Sequence, residues 1–139
     1  MAPVADLIEG LAWADFVSVH APKSDRPVIG AAELAALKPS AILVNTARGG
    51  VVDEPALIEA LNAGKIAGAA LDVFSKEPLP SDDPIYGAKN VQIYSHLGGY
   101  SEGYEERAMP TLGGNMACWL AGEPKKMINI VRPPASWSK

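Results

Sequence analysis

A single cysteine, Cys118, is all this chain offers for thiol chemistry, which excludes an internal disulfide framework and any multi-cysteine metal site, and suits a reducing, cytoplasmic setting. Apolar runs are short as well. None approaches the roughly 20 residues needed to cross a bilayer, and MAPVADLIEGLAWAD, with no basic start and acidic residues within its apolar stretch, is not expected to act as a secretory signal. No Lys/Arg cluster exists and the net charge is −4, which argues against a nucleic-acid surface. Only two histidines are present, on separate predicted strands, and no His/Cys cluster has metal-ligand spacing, so no metal site is expected. No Gly-x-Ser-x-Gly elbow appears. The 13 glycines never form Gly-x-Gly, so the dinucleotide fingerprint that seats a pyrophosphate on a helix N-terminus is missing.

What is present is ordinary globular composition, 48% hydrophobic and 20% charged, in a length that makes at most one domain. The pattern alternates helix and strand. Val4–Ala12 reads as an amphipathic helix and DFVSV as a strand ending at His20, whose exit through Ala21-Pro22 must be extended. A polar connection through Lys23–Arg26 leads to a short helix at Ala31–Leu37. Ala41–Asn45 is an apolar run expected to be a strand buried on both faces.

Thr46, Ala47, Arg48, Gly49 and Gly50 then make a tight turn, where paired glycines permit positive φ and close backbone approach. Asp53, Glu54 and Pro55 open a helix with Leu57, Ile58 and Leu61 on one face, and Gly64 stops it. Strands follow at Ile66–Leu71, closing at Asp72, and at Val91–Tyr94, closing at Ser95-His96-Leu97-Gly98-Gly99. Ser101–Ala121 is predicted as a helix with Ser101 as N-cap, kinked or broken by Pro110, and with Cys118 on an apolar face. Residues 129–131 look strand-like, and the end is expected to fray.

Strands separated by crossover helices predict an α/β fold with a parallel sheet, half of a doubly wound ligand-binding domain. His20, Arg48, Asp72 and His96 each follow the carboxyl end of a different strand, the edge at which such sheets bind ligands. One histidine after a strand most often makes a structural hydrogen bond, and a Glu beside Lys76 is by default a solvated loop charge. Two histidines, an arginine on a glycine turn and the carboxylates Asp72 and Glu77 on one edge favour acid–base chemistry.

The motifs ADFVSVHAP, KPSAILVNTARGGVVDEPALIEALNAGKIAGAALDVFSKEP and SHLGG, in that order, resemble the NAD-dependent D-isomer-specific 2-hydroxyacid dehydrogenases, the family of D-3-phosphoglycerate dehydrogenase and the glyoxylate/hydroxypyruvate reductases. The resemblance runs from about Ala14 to Val131 and implies that residues 1–131 are the C-terminal half of a Rossmann-like NAD-binding domain, with 132–139 a tail. It implies a catalytic set of Arg48, which holds the substrate carboxylate, His96, which protonates the carbonyl oxygen, and Glu77, which orients that imidazole and favours its charged form. His20, Ala21, Pro22, Thr46, Ala47, Arg48, Asp72, His96, Gly98 and Gly99 would contact NAD (or NADP), Asp72 through the nicotinamide carboxamide.

The substrate implied is a small 2-hydroxy or 2-oxo acid, and the full-length form a homodimer. Ser95 stands where the family usually has Pro, and the turn after His20 is about two residues shorter than the common pattern. With the glycine fingerprint and the substrate domain absent, the chain is expected to be a fragment, inactive alone. The alternative is a non-catalytic binding or assembly module derived from such an enzyme.

Overall fold

The computed structural model describes residues 6–131, which divide between Gly99 and Tyr100 into two compact units. The first unit carries α1 (Leu7–Trp13), β1 (Phe16–Val19), α2 (Ala31–Ala36), β2 (Ile42–Asn45), α3 (Glu54–Asn62), β3 (Gly68–Leu71) and β4 (Val91–Ile93). Val4, expected in the first helix, lies outside the described residues. Asp6 starts α1 instead, its carboxylate accepting the Glu9 amide at 3.0 Å.

The four strands are parallel and lie in the order β1-β2-β3-β4. The four strands predicted between Asp15 and Tyr94 are present, each shorter by one or two residues. Asn45 pairs with Val19 on one side and Leu71 on the other, so the chain leaves all three strands at one level. This register brings the His20, Arg48 and Asp72 turns to a common edge. Beyond β4 the ladder continues: Tyr94 donates to the Leu71 carbonyl (2.8 Å) and His96 to that of Asp72 (2.9 Å).

One face of the sheet is sealed. Leu43, Ala69 and Leu71 are buried in a single cluster with Leu11 of α1, Leu34 of α2 and Leu57 and Leu61 of α3. The other face corrects the expectation of β2 buried on both sides: Ile42 and Val44 are only half-buried. The glycine turn divides its labour. Gly50 takes φ +79°, while a Cβ on Gly49 would collide with the Phe74 carbonyl, so the two turns of the β-α-β unit meet in backbone contact there. Asp53 caps α3 through the Ala56 amide (3.1 Å), with Pro55 in its first turn, and Gly64 follows it at φ +68°.

The second unit is α4 (Tyr104–Leu120) and a 3₁₀ turn, Pro124–Lys126. Three expectations change here. The N-cap is Gly103 at φ +68°, not Ser101, whose hydroxyl is taken by the Arg107 guanidinium at 2.6 Å. Pro110 does not break the helix; it forfeits one backbone bond, and the remaining turns run on to Leu120. Residues 129–131 form no strand; the Asn115 side-chain amide pairs with both backbone groups of Ile128, just before them, at 2.9 Å each. No α4 residue is buried. The fraying expected at the tail falls on residues outside those described. Among the described residues no helix is long and apolar enough to cross a membrane.

Candidate active site

The site is assembled from three turns at the carboxyl edge of the sheet. Asn45 is buried at the end of β2, where its side-chain oxygen accepts the Ala47 amide (3.1 Å) and its amide nitrogen donates to the Arg48 carbonyl (3.3 Å). This Asx-type turn fixes the path of Thr46, Ala47 and Arg48. The Arg48 side chain is exposed, with one guanidinium nitrogen donating to the Ala47 carbonyl at 2.6 Å and its remaining N–H groups available to a ligand.

Asp72, 5% exposed, is the second organiser. Its two oxygens accept the amides of Leu97 and Gly98, each at 2.7 Å. His96, held from one side by the ladder and from the other by this clamp, adopts φ +57°, a conformation uncommon for a non-glycine residue. The turn projects the imidazole toward the loop after β3. There Glu77 accepts the Phe74 amide on one oxygen (2.8 Å) and meets His96 Nδ1 with the other (2.8 Å). The His96 hydrogen bond, and next the Phe74 amide, hold the Glu77 carboxyl below its ordinary 4.5. With Nδ1 occupied by a carboxylate, Nε2 is the nitrogen left to exchange a proton with a ligand.

Arg48, Glu77 and His96, the three residues expected to act together, line one recess of about 220 Å³ with Gly49, Phe74 and Ser75. His20, Ala21 and Pro22 face Thr46, Ala47 and Arg48 across a second groove of about 570 Å³. Gly98 lies beside Thr46, its virtual Cβ 3.7 Å from the threonine Cβ and only 2.7 Å from Asp72 Oδ2, so the turn approaches as closely as it does only because it is glycine. Gly99 opens onto free space.

Asp72 and His20 also have partners within the chain. Both Asp72 oxygens are engaged by the His96 turn, which makes that residue a structural support of the site. His20 Nε2 lies 2.8 Å from the Ser18 hydroxyl. His20 and His96 share neither recess nor groove.

The sequence reading missed other residues that shape the site. Glu54, at the start of α3, accepts from the Ser75 amide (2.7 Å) and hydroxyl (2.8 Å), tying the Glu77 loop to the helix. Asn45 carried a signal, an Asx residue at a strand end; Glu54 carried none, because its partner is 21 residues away. Lys23, read as part of a polar connection, lines both recess and groove. Among the described residues no group of three or more His, Cys, Asp or Glu could hold a metal.

The groove, with Thr46, Ala47 and Arg48 on one side and His20, Ala21 and Pro22 on the other, lies at the carboxyl edge of the sheet, where open α/β sheets bind ligands. Known proteins agree with this architecture. The chain is 41% identical to a glyoxylate reductase of Korarchaeum cryptofilum, over 95% of this chain and 41% of that protein. It is also 41% identical to a D-3-phosphoglycerate dehydrogenase of Methanocaldococcus jannaschii, over 94% of this chain and 25% of that one. It therefore spans less than half the length of these relatives.

A D-isomer specific 2-hydroxyacid dehydrogenase from Xanthobacter autotrophicus Py2, crystallised with NADPH and MES, superposes with a TM-score of 0.73 at 40% identity, covering 91% of this chain and 52% of that one. Residues 1–98 match the family model of the D-isomer specific 2-hydroxyacid dehydrogenase NAD-binding domain, and the chain belongs to that family.

Proposed function

We propose that this chain supplies the nicotinamide side of the cofactor site and the acid–base machinery of an NAD(P)-dependent oxidoreductase that interconverts a small 2-hydroxy acid and its 2-oxo acid. The observation that carries this reading is the His96 Nδ1 to Glu77 contact of 2.8 Å in a recess that also holds Arg48.

The cofactor supplies the hydride. Arg48 grips the substrate carboxylate with its free N–H groups and orients the carbonyl carbon toward the groove lined by Thr46 and Ala47. His96 donates the Nε2 proton to the carbonyl oxygen as that oxygen gains charge, and takes it back in the oxidative direction. Glu77 acts through His96: it orients the ring and balances the imidazolium charge. Asp72 holds the turn that sets where the ring stands, and its outer lone pairs are the ones a cofactor carboxamide would meet. His20, Ala21, Pro22, Gly98 and Gly99 serve as walls.

The test is a chimera in which the chain replaces the matching segment of the Korarchaeum glyoxylate reductase, assayed for NAD(P)H-dependent reduction of glyoxylate and hydroxypyruvate. The chimera should be active, and His96→Ala should lower its turnover by about 10²–10⁴-fold, the usual worth of a positioned general acid. A folded chimera that binds cofactor but has no activity would favour the non-catalytic module instead, and full activity of His96→Ala would remove the mechanism.

A further inference from the structure

We propose that Lys23 determines substrate specificity by holding a second anionic group of the substrate, so that the site selects 2-hydroxy and 2-oxo acids bearing a further carboxylate or phosphate. The inference rests on the reading above in which Arg48 takes the reacting carboxylate.

Lys23 belongs to the same recess of about 220 Å³ as Arg48, Glu77 and His96. Its stem crosses the glycine turn that carries Arg48: Cε lies 3.8 Å from the point where a Cβ on Gly50 would stand. The lysine is exposed, and none of the ion pairs among the described residues involves it; Lys38, in contrast, is tied to Asp15 at 2.9 Å. The charge count of the recess is therefore lopsided. Glu77 is committed to His96 at 2.8 Å, no other carboxylate lines the space, and two cations, Lys23 and Arg48, face it uncompensated.

Like charges gathered on one small recess repel, and a ligand carrying two anionic groups relieves that repulsion better than a monoanion can. The two cations are also suited to different tasks. The planar guanidinium fork matches a carboxylate through paired hydrogen bonds, whereas an ammonium is a point charge that accepts carboxylate or phosphate alike. Lys23 lines the larger groove too, alongside His20 and Thr46, so a cofactor phosphate is the competing source of the anion. Its place in the recess that holds His96, where the reacting carbon must lie, favours the substrate.

D-lactate and D-malate differ by one added carboxylate at the carbon next to the hydroxyl-bearing one, and serve as matched probes. Each is titrated into the full chain, followed by amide shifts in nuclear magnetic resonance at constant pH and ionic strength. D-malate should bind about fivefold more tightly than D-lactate, the upper range for a solvent-exposed ion pair. Lys23→Met, which keeps the stem and removes the charge, should bring the two to near equality, and Lys23→Arg should restore the preference.

Equal affinities in the parent chain, or no detectable D-malate binding, would overturn the proposal. So would a preference that survives Lys23→Met, or a Lys23→Met effect confined to NADPH binding, which would assign the lysine to a cofactor phosphate. Arg48→Met separates the two levels of the argument. If it weakens both acids while Lys23→Met leaves their ratio intact, only the Lys23 assignment fails; if it weakens neither, the reading of Arg48 fails and takes this assignment with it.

Discussion

Asp72 and Gly98 are in direct contact, the buried carboxylate accepting the glycine amide at 2.7 Å, with no room between them for a side chain. Since the other Asp72 oxygen takes the Leu97 amide, one carboxylate at the end of β3 fixes the turn that begins with His96. Charge-assisted bonds of this kind are short and are about twice as strong as neutral ones. Asp72→Asn should therefore be costly despite its shape, because an amide NH₂ would be turned toward one of the two backbone N–H groups. We expect a loss of about 1–3 kcal/mol in urea denaturation, with the largest amide shift changes at His96, Leu97 and Gly98. Unchanged shifts at those three residues would show that the clamp does not set the turn.

The lowered Glu77 pKa ties stability to pH in a defined direction. In the unfolded chain the carboxyl titrates at its ordinary 4.5, and in the folded chain lower, because His96 and the Phe74 amide favour the anion. The unfolded state thus binds more protons in that window, so stability rises with pH through it. The Glu77 contribution is complete above 4.5 and is lost as pH falls through the lowered folded value. Urea midpoints measured from neutral pH downward should fall more steeply below 4.5 in the parent than in Glu77→Gln. Parallel curves would mean that Glu77 makes no stabilising bond in solution. With the His96 side chain 52% exposed and that of Glu77 36% exposed, solvent screening keeps the effect modest.

Arg48→Lys probes geometry at constant charge. In the chimera described above, it should raise the Michaelis constant for the 2-oxo acid and lower turnover together, since an ammonium cannot reproduce a two-pronged grip on a carboxylate. A change in the Michaelis constant alone would mean that Arg48 supplies attraction without orienting the substrate.

β1 is an edge strand whose Phe16 is 74% exposed, and Trp13 and the half-covered face of β2 add apolar surface in the same unit. An uncovered parallel edge with an aromatic side chain is a template for association. The chain studied by itself should sediment as a concentration-dependent mixture, and Phe16→Lys should shift it toward monomer. A parent chain that sediments as a single monomer across the concentration range would contradict this.

The ends of the strands were legible in the sequence, and with them the residues that had to gather at one edge. An apolar run followed by a polar turn marks where a strand stops, and parallel strands joined by helical crossovers must all stop on the same side. Local pattern therefore sufficed to bring Arg48 and Asp72 to adjacent turns and to place His20 and His96 on flanking ones. The motif resemblance, in turn, pointed to Glu77 as the partner of His96.

What local pattern could not reach were the bonds between residues far apart in the chain. Glu54 meets Ser75 across 21 residues and Glu77 meets His96 across 19, and which atoms meet depends on strand register and on how the loops fold over the edge. The left-handed backbone at His96 is of the same kind: nothing in Ser-His-Leu-Gly requires it, and the Asp72 clamp does. The continuous α4 through Pro110 and its cap at Gly103 likewise departed from propensity, since one lost backbone bond does not outweigh the turns on either side of it. Sequence determined which side chains stand at the edge, because side-chain periodicity is local; the tertiary structure decided which of them touch, because those contacts are made only once the register between strands is set.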